Sequence, residues 1–101
     1  MSLFYDRKAE MDIKYPIDYD SLIKNKSQFL DSHGNTVWVT NYSDNSYVLL
    51  ISISISVTNK YEHYNTVKGI AANNLLINIS EYEIFEYQVG RDMWKVILHK
   101  L

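Results

Sequence analysis

Residues 49–58 read L-L-I-S-I-S-I-S-V-T, an alternation of period two sustained over ten positions. In a β-strand, Leu49, Ile51, Ile53, Ile55 and Val57 point to one side and Leu50, Ser52, Ser54, Ser56 and Thr58 to the other. The first set supplies one wall of a hydrophobic core. The second is short, hydroxylated and uncharged, and what covers Ser52, Ser54 and Ser56 becomes the question the rest of the chain must answer.

The neighbours of this stretch sharpen that question. Between residues 32 and 59, Asp44 is the one Asp, Glu, Lys or Arg, where the chain's 22% charged fraction would place about six. Edge strands are commonly protected by charge, so a strand pair this poor in charge belongs in the middle of a sheet, covered on more than one side or engaged by a partner. Residues 36–42 and 47–58 form a hairpin across Ser43-Asp44-Asn45-Ser46, whose side chains bond their own backbone in turns.

Upstream, residues 20–32 carry Leu22, Ile23, Phe29 and Leu30 at helical spacing, with Asp18 or Asp20 as cap and Gly34 just past the end. This predicts the main helix, packed on the Ile51, Ile53 and Ile55 face. Residues 1–16 read as an N-terminal arm or short strand, interrupted at Pro16. Downstream, 60–65 reads as an exposed connection, 66–74 as either a short helix or a strand interrupted by Gly69, and 75–79 as a strand. Residues 81–89 fit a helix through a Ser80/Glu83 capping box. Tyr82, Ile84, Phe85, Tyr87 and Val89 instead favour a strand, and Val89-Gly90-Arg91-Asp92 fits a two-residue hairpin turn with Gly90 at its first central position. The hairpin is preferred. Residues 93–101 are then the last strand, with Trp94, Val96 and Leu98 on one face. The expected fold is α+β: an antiparallel sheet of four to five strands with one main N-terminal helix packed on it.

Length and composition bound the function. At 101 residues the chain is a single small domain, residues 1–101, and its 47% apolar content is that of a globular protein. No run approaches the eighteen apolar residues of a membrane helix, and the N-terminus lacks the apolar core of a signal peptide. Cysteine is absent, which removes disulfides, thiolate catalysis and cysteine-held zinc and suits a cytoplasmic location. A formal net charge of −2 provides no general pull toward nucleic acid.

No motif for catalysis, phosphate binding or a metal stands out, so neither a cofactor nor a metal is expected. His33, His63 and His99 lack the spacing of a helical metal pair. Glu81, Glu83 and Glu86 cluster in sequence, but a paired-acid site needs a cleft to hold two of them about 5–9 Å apart. Lys60, Tyr61, Tyr64 and Lys68, and Trp94-Lys95 with His99-Lys100, offer a thin aromatic-basic pattern for single-stranded nucleic acid. A small enzyme with a His/carboxylate site is a further alternative.

The nine tyrosines point elsewhere, because Tyr pairs a large apolar body with a polar tip and is enriched at interfaces. The expected function is a non-enzymatic protein-binding module that inhibits or neutralises a macromolecular partner. Phage or mobile-element anti-defence proteins such as anti-CRISPRs, and toxin-immunity proteins, are small cysteine-free domains of this kind. The expected contacts are Trp38, Tyr42, Tyr47, Tyr61 and Tyr64. A homodimer through the uncharged hairpin and its face of Ser52, Ser54 and Ser56 is the companion expectation.

Overall fold

The computed structural model describes residues 3–16, 28–30, 35–52, 60–90 and 93–101. In chain order these form α1 (Leu3–Lys14), β1 (Gln28–Leu30), β2 (Thr36–Asn41), β3 (Tyr47–Ser52), α2 (Lys60–Ile70), β4 (Tyr82–Gly90) and β5 (Met93–Lys100). The strands make one sheet in the order β1-β2-β3-β5-β4, with every neighbouring pair antiparallel. The chain is α+β, as its sequence predicts.

The alternating stretch lies at the centre of this sheet. β3 runs between β2 and β5, and Val48, Leu49, Leu50 and Ile51 are all buried. Burial on both faces explains the missing charge: a strand with water on neither side has nowhere to solvate one. The hairpin turn forms as read. Asn45 N–H donates to Tyr42 O (3.0 Å), Tyr42 N–H donates to Ser46 O (2.9 Å), and Asn45 takes the left-handed conformation, φ 64°, that Asn tolerates. Ser52 is half-buried at the end of β3, opposite Thr36 and Met93, while Ser54 and Ser56 lie outside the described residues.

The two faces of the sheet are covered by different helices. Val37, Leu49, Ile51, Val96 and Leu98 join Val67 and Ile70 of α2 in one buried cluster. On the opposite face Val48 and Ile97 pack with Met11 of α1 and with Tyr15 just past its end, with Tyr42, Phe85 and Tyr87 around them. At roughly 25 cal/mol per Å² of apolar surface, these two layers supply the main favourable term for folding.

Several described segments differ from what the sequence pattern predicts. Gln28–Leu30, expected to be helical, pairs with β2 in the register Gln28↔Trp38, Phe29↔Val37 and Leu30↔Thr36. A short apolar run such as Phe29-Leu30 satisfies either periodicity, and a strand partner decided it. The remainder of the expected helix, with Leu22 and Ile23, lies outside the described residues, as do Ile53 and Ile55. The arm expected at 1–16 is instead built on helix α1, whose Met11 lies one turn before Tyr15, the residue after its end, both on the buried side. Tyr15 N–H closes the last turn on Met11 O (2.9 Å) directly before Pro16, where helices end. The connection expected at 60–65 belongs to α2, whose Val67 and Ile70 face the core.

The strand expected at 75–79 is also replaced. After α2 the chain makes a π-helical turn over Ala71–Leu75, and Leu76 is left-handed at φ 56°. A short 3-10 turn follows at Ile79–Glu81, capped by Asn78, whose Oδ1 accepts from Ser80 N–H at 3.2 Å. Leu75, Ile77 and Ile79 pack on the α2-side core and Leu76 and Asn78 are exposed. The alternation was real, but it served burial without a ladder. Residues 82–90 are a strand, as preferred, yet Gly90 pairs with Met93 across a register irregularity, so it is the end of β4 rather than the first turn residue. Arg91 and Asp92 lie outside the described residues.

Candidate functional site

Polar side chains converge where the end of α1 meets the β2–β3 turn and the end of β5. Tyr15 carries the cluster. Its ring is fully buried, in edge contact with Tyr42 (centroids 4.9 Å apart) and tilted against His99 (5.8 Å). Its hydroxyl donates to Asp44 Oδ2 and lies 3.0 Å from Ser46 Oγ and 2.9 Å from His99 Nδ1. A phenol has one proton, and the carboxylate takes it. The hydrogen-bond pattern therefore assigns a proton to His99 Nδ1, which donates to the phenol oxygen.

Asp44 is fixed from several directions at once. Ser46 N–H donates to Oδ1 at 3.1 Å, an Asx turn, and Lys14 Nζ stands 3.6 Å from Oδ2. The Tyr15 hydrogen bond, helped by Ser46 and Lys14 and opposed by burial, holds the carboxyl below the ordinary aspartate range. Ser46 is fully buried, and its Oγ accepts the Lys100 N–H at 3.0 Å, so a backbone donor at the end of β5 is satisfied by a side chain of the turn.

Two further polar joints lie along α1. Arg7 donates to Glu83 at 2.7 Å and to Glu10 at 3.3 Å. The Arg7 hydrogen bond, with a smaller pull from His99 across the strand pair, lowers the Glu83 carboxyl. Asp12 accepts from Lys95 Nζ and from the Tyr87 hydroxyl. Lys95 is 3% exposed, and its ammonium sits 5.6 Å from the Tyr87 ring centroid, a cation–π distance. Burial first, then the Asp12 hydrogen bond, pushes the Tyr87 hydroxyl well above the ordinary tyrosine range.

Several residues singled out from the sequence fall in different places. Tyr42 and Tyr47 flank the turn but diverge. Tyr42 packs on Tyr15 and donates to Pro16 O (3.0 Å), while Tyr47 packs on the α2-side core with Tyr82, centroids 6.2 Å apart. Trp38 is half-buried on β2, opposite Leu50. Tyr61 and Tyr64 belong to α2. The Trp94-Lys95 pair does not form a basic surface, because Lys95 is interior; Lys100 is held at Glu81 (2.7 Å) over the Tyr82 ring. Glu83 faces α1 and Glu86 the other side of β4, so the three glutamates do not share a cleft.

The Tyr15–Asp44–His99 cluster was not legible from sequence. Only Asp44, in its turn, carried a local signal; Tyr15 and His99 stand in stretches that read as an arm and a strand end. Among the described residues no three His, Cys, Asp or Glu side chains are grouped to hold a metal ion, and no helix is long and apolar enough to cross a membrane. Comparison with protein-family models, with curated proteins and with solved structures finds no match to this chain.

Proposed function

We propose that this protein is a non-enzymatic protein-binding module that inhibits or neutralises a macromolecular partner, and that it takes that partner at the outer edge of β4. The observation that carries this reading is the position of β4. It is nine residues long, pairs with β5 on one side and has no strand on the other among the described residues. Leu101 N–H donates to Glu81 O (3.0 Å), whereas Lys100 N–H turns the opposite way, to Ser46 Oγ. Continuing that alternation along the ladder directs the amide and carbonyl of Ile84 away from β5. A partner strand added at this edge gains main-chain hydrogen bonds, with specificity from side chains on alternate faces. Glu83 and Glu86, one on each face, guard the edge against indiscriminate pairing.

Leu76 supports the same reading. It caps the π-helical turn in a left-handed conformation, with its backbone N–H on Ala71 O, and leaves its side chain 81% exposed as an apolar contact for a partner. The polar groups at the end of α1, by contrast, are occupied in joining that helix to the sheet. Trp38, Tyr42, Tyr47, Tyr61 and Tyr64 belong to the proposal as further partner contacts, of which Trp38 lies on β2 with β3 and β5 between it and this edge. A cytoplasmic setting and a phage or mobile-element origin belong to this proposal. The companion homodimer would have to use a surface other than the edges of β2 and β3, since each already has strands on both sides.

The test is an affinity capture from host lysate followed by hydrogen exchange on the purified complex. The proposal expects a stoichiometric protein whose binding protects the Ile84 amide. Nuclease-sensitive retention would move the reading to nucleic acid, and unchanged exchange along β4 in the complex would remove this edge as the site.

A further inference from the structure

The two core layers differ in how they are held. On the α2 side, Val67 and Ile70 are fully buried against Val37, Leu49, Ile51, Val96 and Leu98. On the other side, α1 inserts Met11 and the residue after its last turn, Tyr15, into a smaller cluster with Val48 and Ile97. Ile13, the last large apolar residue of the helix, is 81% exposed. The rest of α1's described attachment is polar. Arg7 meets Glu83, Asp12 meets Lys95 and Tyr87, and Lys14 with Tyr15 meets Asp44. Both members of the Arg7–Glu83 and Lys14–Asp44 pairs are partly exposed, which makes them sensitive to salt.

We propose that α1 is a releasable strap: it leaves the sheet as one unit and unfolds as it goes, while β2 to β5 and α2 remain folded. A helix of twelve residues does not stand alone in water, so loss of docking and loss of helix are one event. The core that remains has its own complete apolar cluster and its own strand pairs, so it need not open with α1. Release uncovers the Val48, Ile97, Phe85 and Tyr87 side of the sheet and separates Tyr15 from Asp44 and His99. Lys95 emerges from burial in the same step that takes Asp12 away, which avoids leaving a buried ammonium unpaired. This device does not depend on the β4 edge being a binding site.

Native-state hydrogen exchange on the full chain tests it. The expected result is a common opening for the amides of residues 7–15, populated about a hundredfold more than the opening that exposes Val48 to Ile51 and Val96 to Leu98, and promoted by urea with one shared slope smaller than that of the core opening. Raising NaCl from about 0.05 to 0.5 M should increase the α1 opening severalfold, because the screening length falls to a few ångströms. Three results overturn the proposal: α1 amides that exchange together with the core, protection that simply grades along α1 as in end-fraying, or an α1 opening indifferent to salt.

Discussion

Tyr15 and His99 stand at opposite ends of the chain, |i−j| = 84, and meet with the phenol oxygen 2.9 Å from the imidazole Nδ1. The contact joins the end of the N-terminal helix to the end of the last strand, and Asp44 from the central hairpin turn completes it. Three distant segments thus share one hydrogen-bonded centre, and the phenol is its common member.

Replacing that phenol by Phe keeps the ring and removes the shared hydroxyl. Tyr15→Phe should destabilise the protein by about 1–3 kcal/mol, because Asp44, Ser46 and His99 each lose a partner in a partly dry site. Urea unfolding measures the loss. NMR titration should show the Asp44 carboxyl moving up toward its ordinary value, since Tyr15 is the largest cause of its depression. An unchanged Asp44 titration would contradict the assigned donor.

Acid should weaken the domain through the same contacts. Asp44 and Glu83 are both held below their ordinary values of 3.8 and 4.5 in the folded chain. Groups lowered in this way contribute stability that is fully present above the unfolded-state value and is lost as pH falls through the folded-state value. Stability should be flat from about pH 7 to 5 on their account and decline below pH 4.5. Both carboxylates are partly exposed, so each contributes about 0.5 kcal/mol. Glu83→Gln should shallow the acid limb in a series of urea melts from pH 6 to pH 3.

The Asp12–Lys95 pair should respond unequally to loss of each member. Lys95→Met keeps the buried stem and leaves a half-exposed carboxylate that water can solvate, so a change within about 1 kcal/mol is expected. Asp12→Ala leaves an interior ammonium with the Tyr87 ring and should cost about 2–3 kcal/mol. Adding Lys95→Met to Asp12→Ala should then recover most of that loss. Equal costs for the two single variants would show that the ammonium is solvated.

Leu76 should be replaceable at no cost to the fold. Leu76→Gly relieves a left-handed branched residue that is exposed, and should stabilise the domain by about 1 kcal/mol, seen as a rise of several degrees in Tm. A loss of partner binding in that same more stable variant would tie the strain to function.

Local patterns made much of this fold legible in the amino-acid sequence. The alternation at Leu49, Ile51 and their neighbours marked a strand, the Ser43 to Ser46 turn closed a hairpin, the absence of charge placed it centrally, and Tyr82 to Leu98 formed a second hairpin. Each of these depends on residues close in the chain, where period and turn chemistry act directly. Tertiary structure decided the rest. Gln28–Leu30 became a strand because β2 offered an edge, and Leu75, Ile77 and Ile79 alternated against the core without a ladder. The same packing put α1 and α2 on the described parts of the sheet's two faces. The answer for the second face of β3 followed from this: beside Val48 stand Met11 of the N-terminal helix and Tyr15 just past its end. Helix and strand periods report which side of an element is apolar, but not which distant element will cover it. That choice, and with it the meeting of Tyr15, Asp44 and His99, is made by packing between segments far apart in the chain.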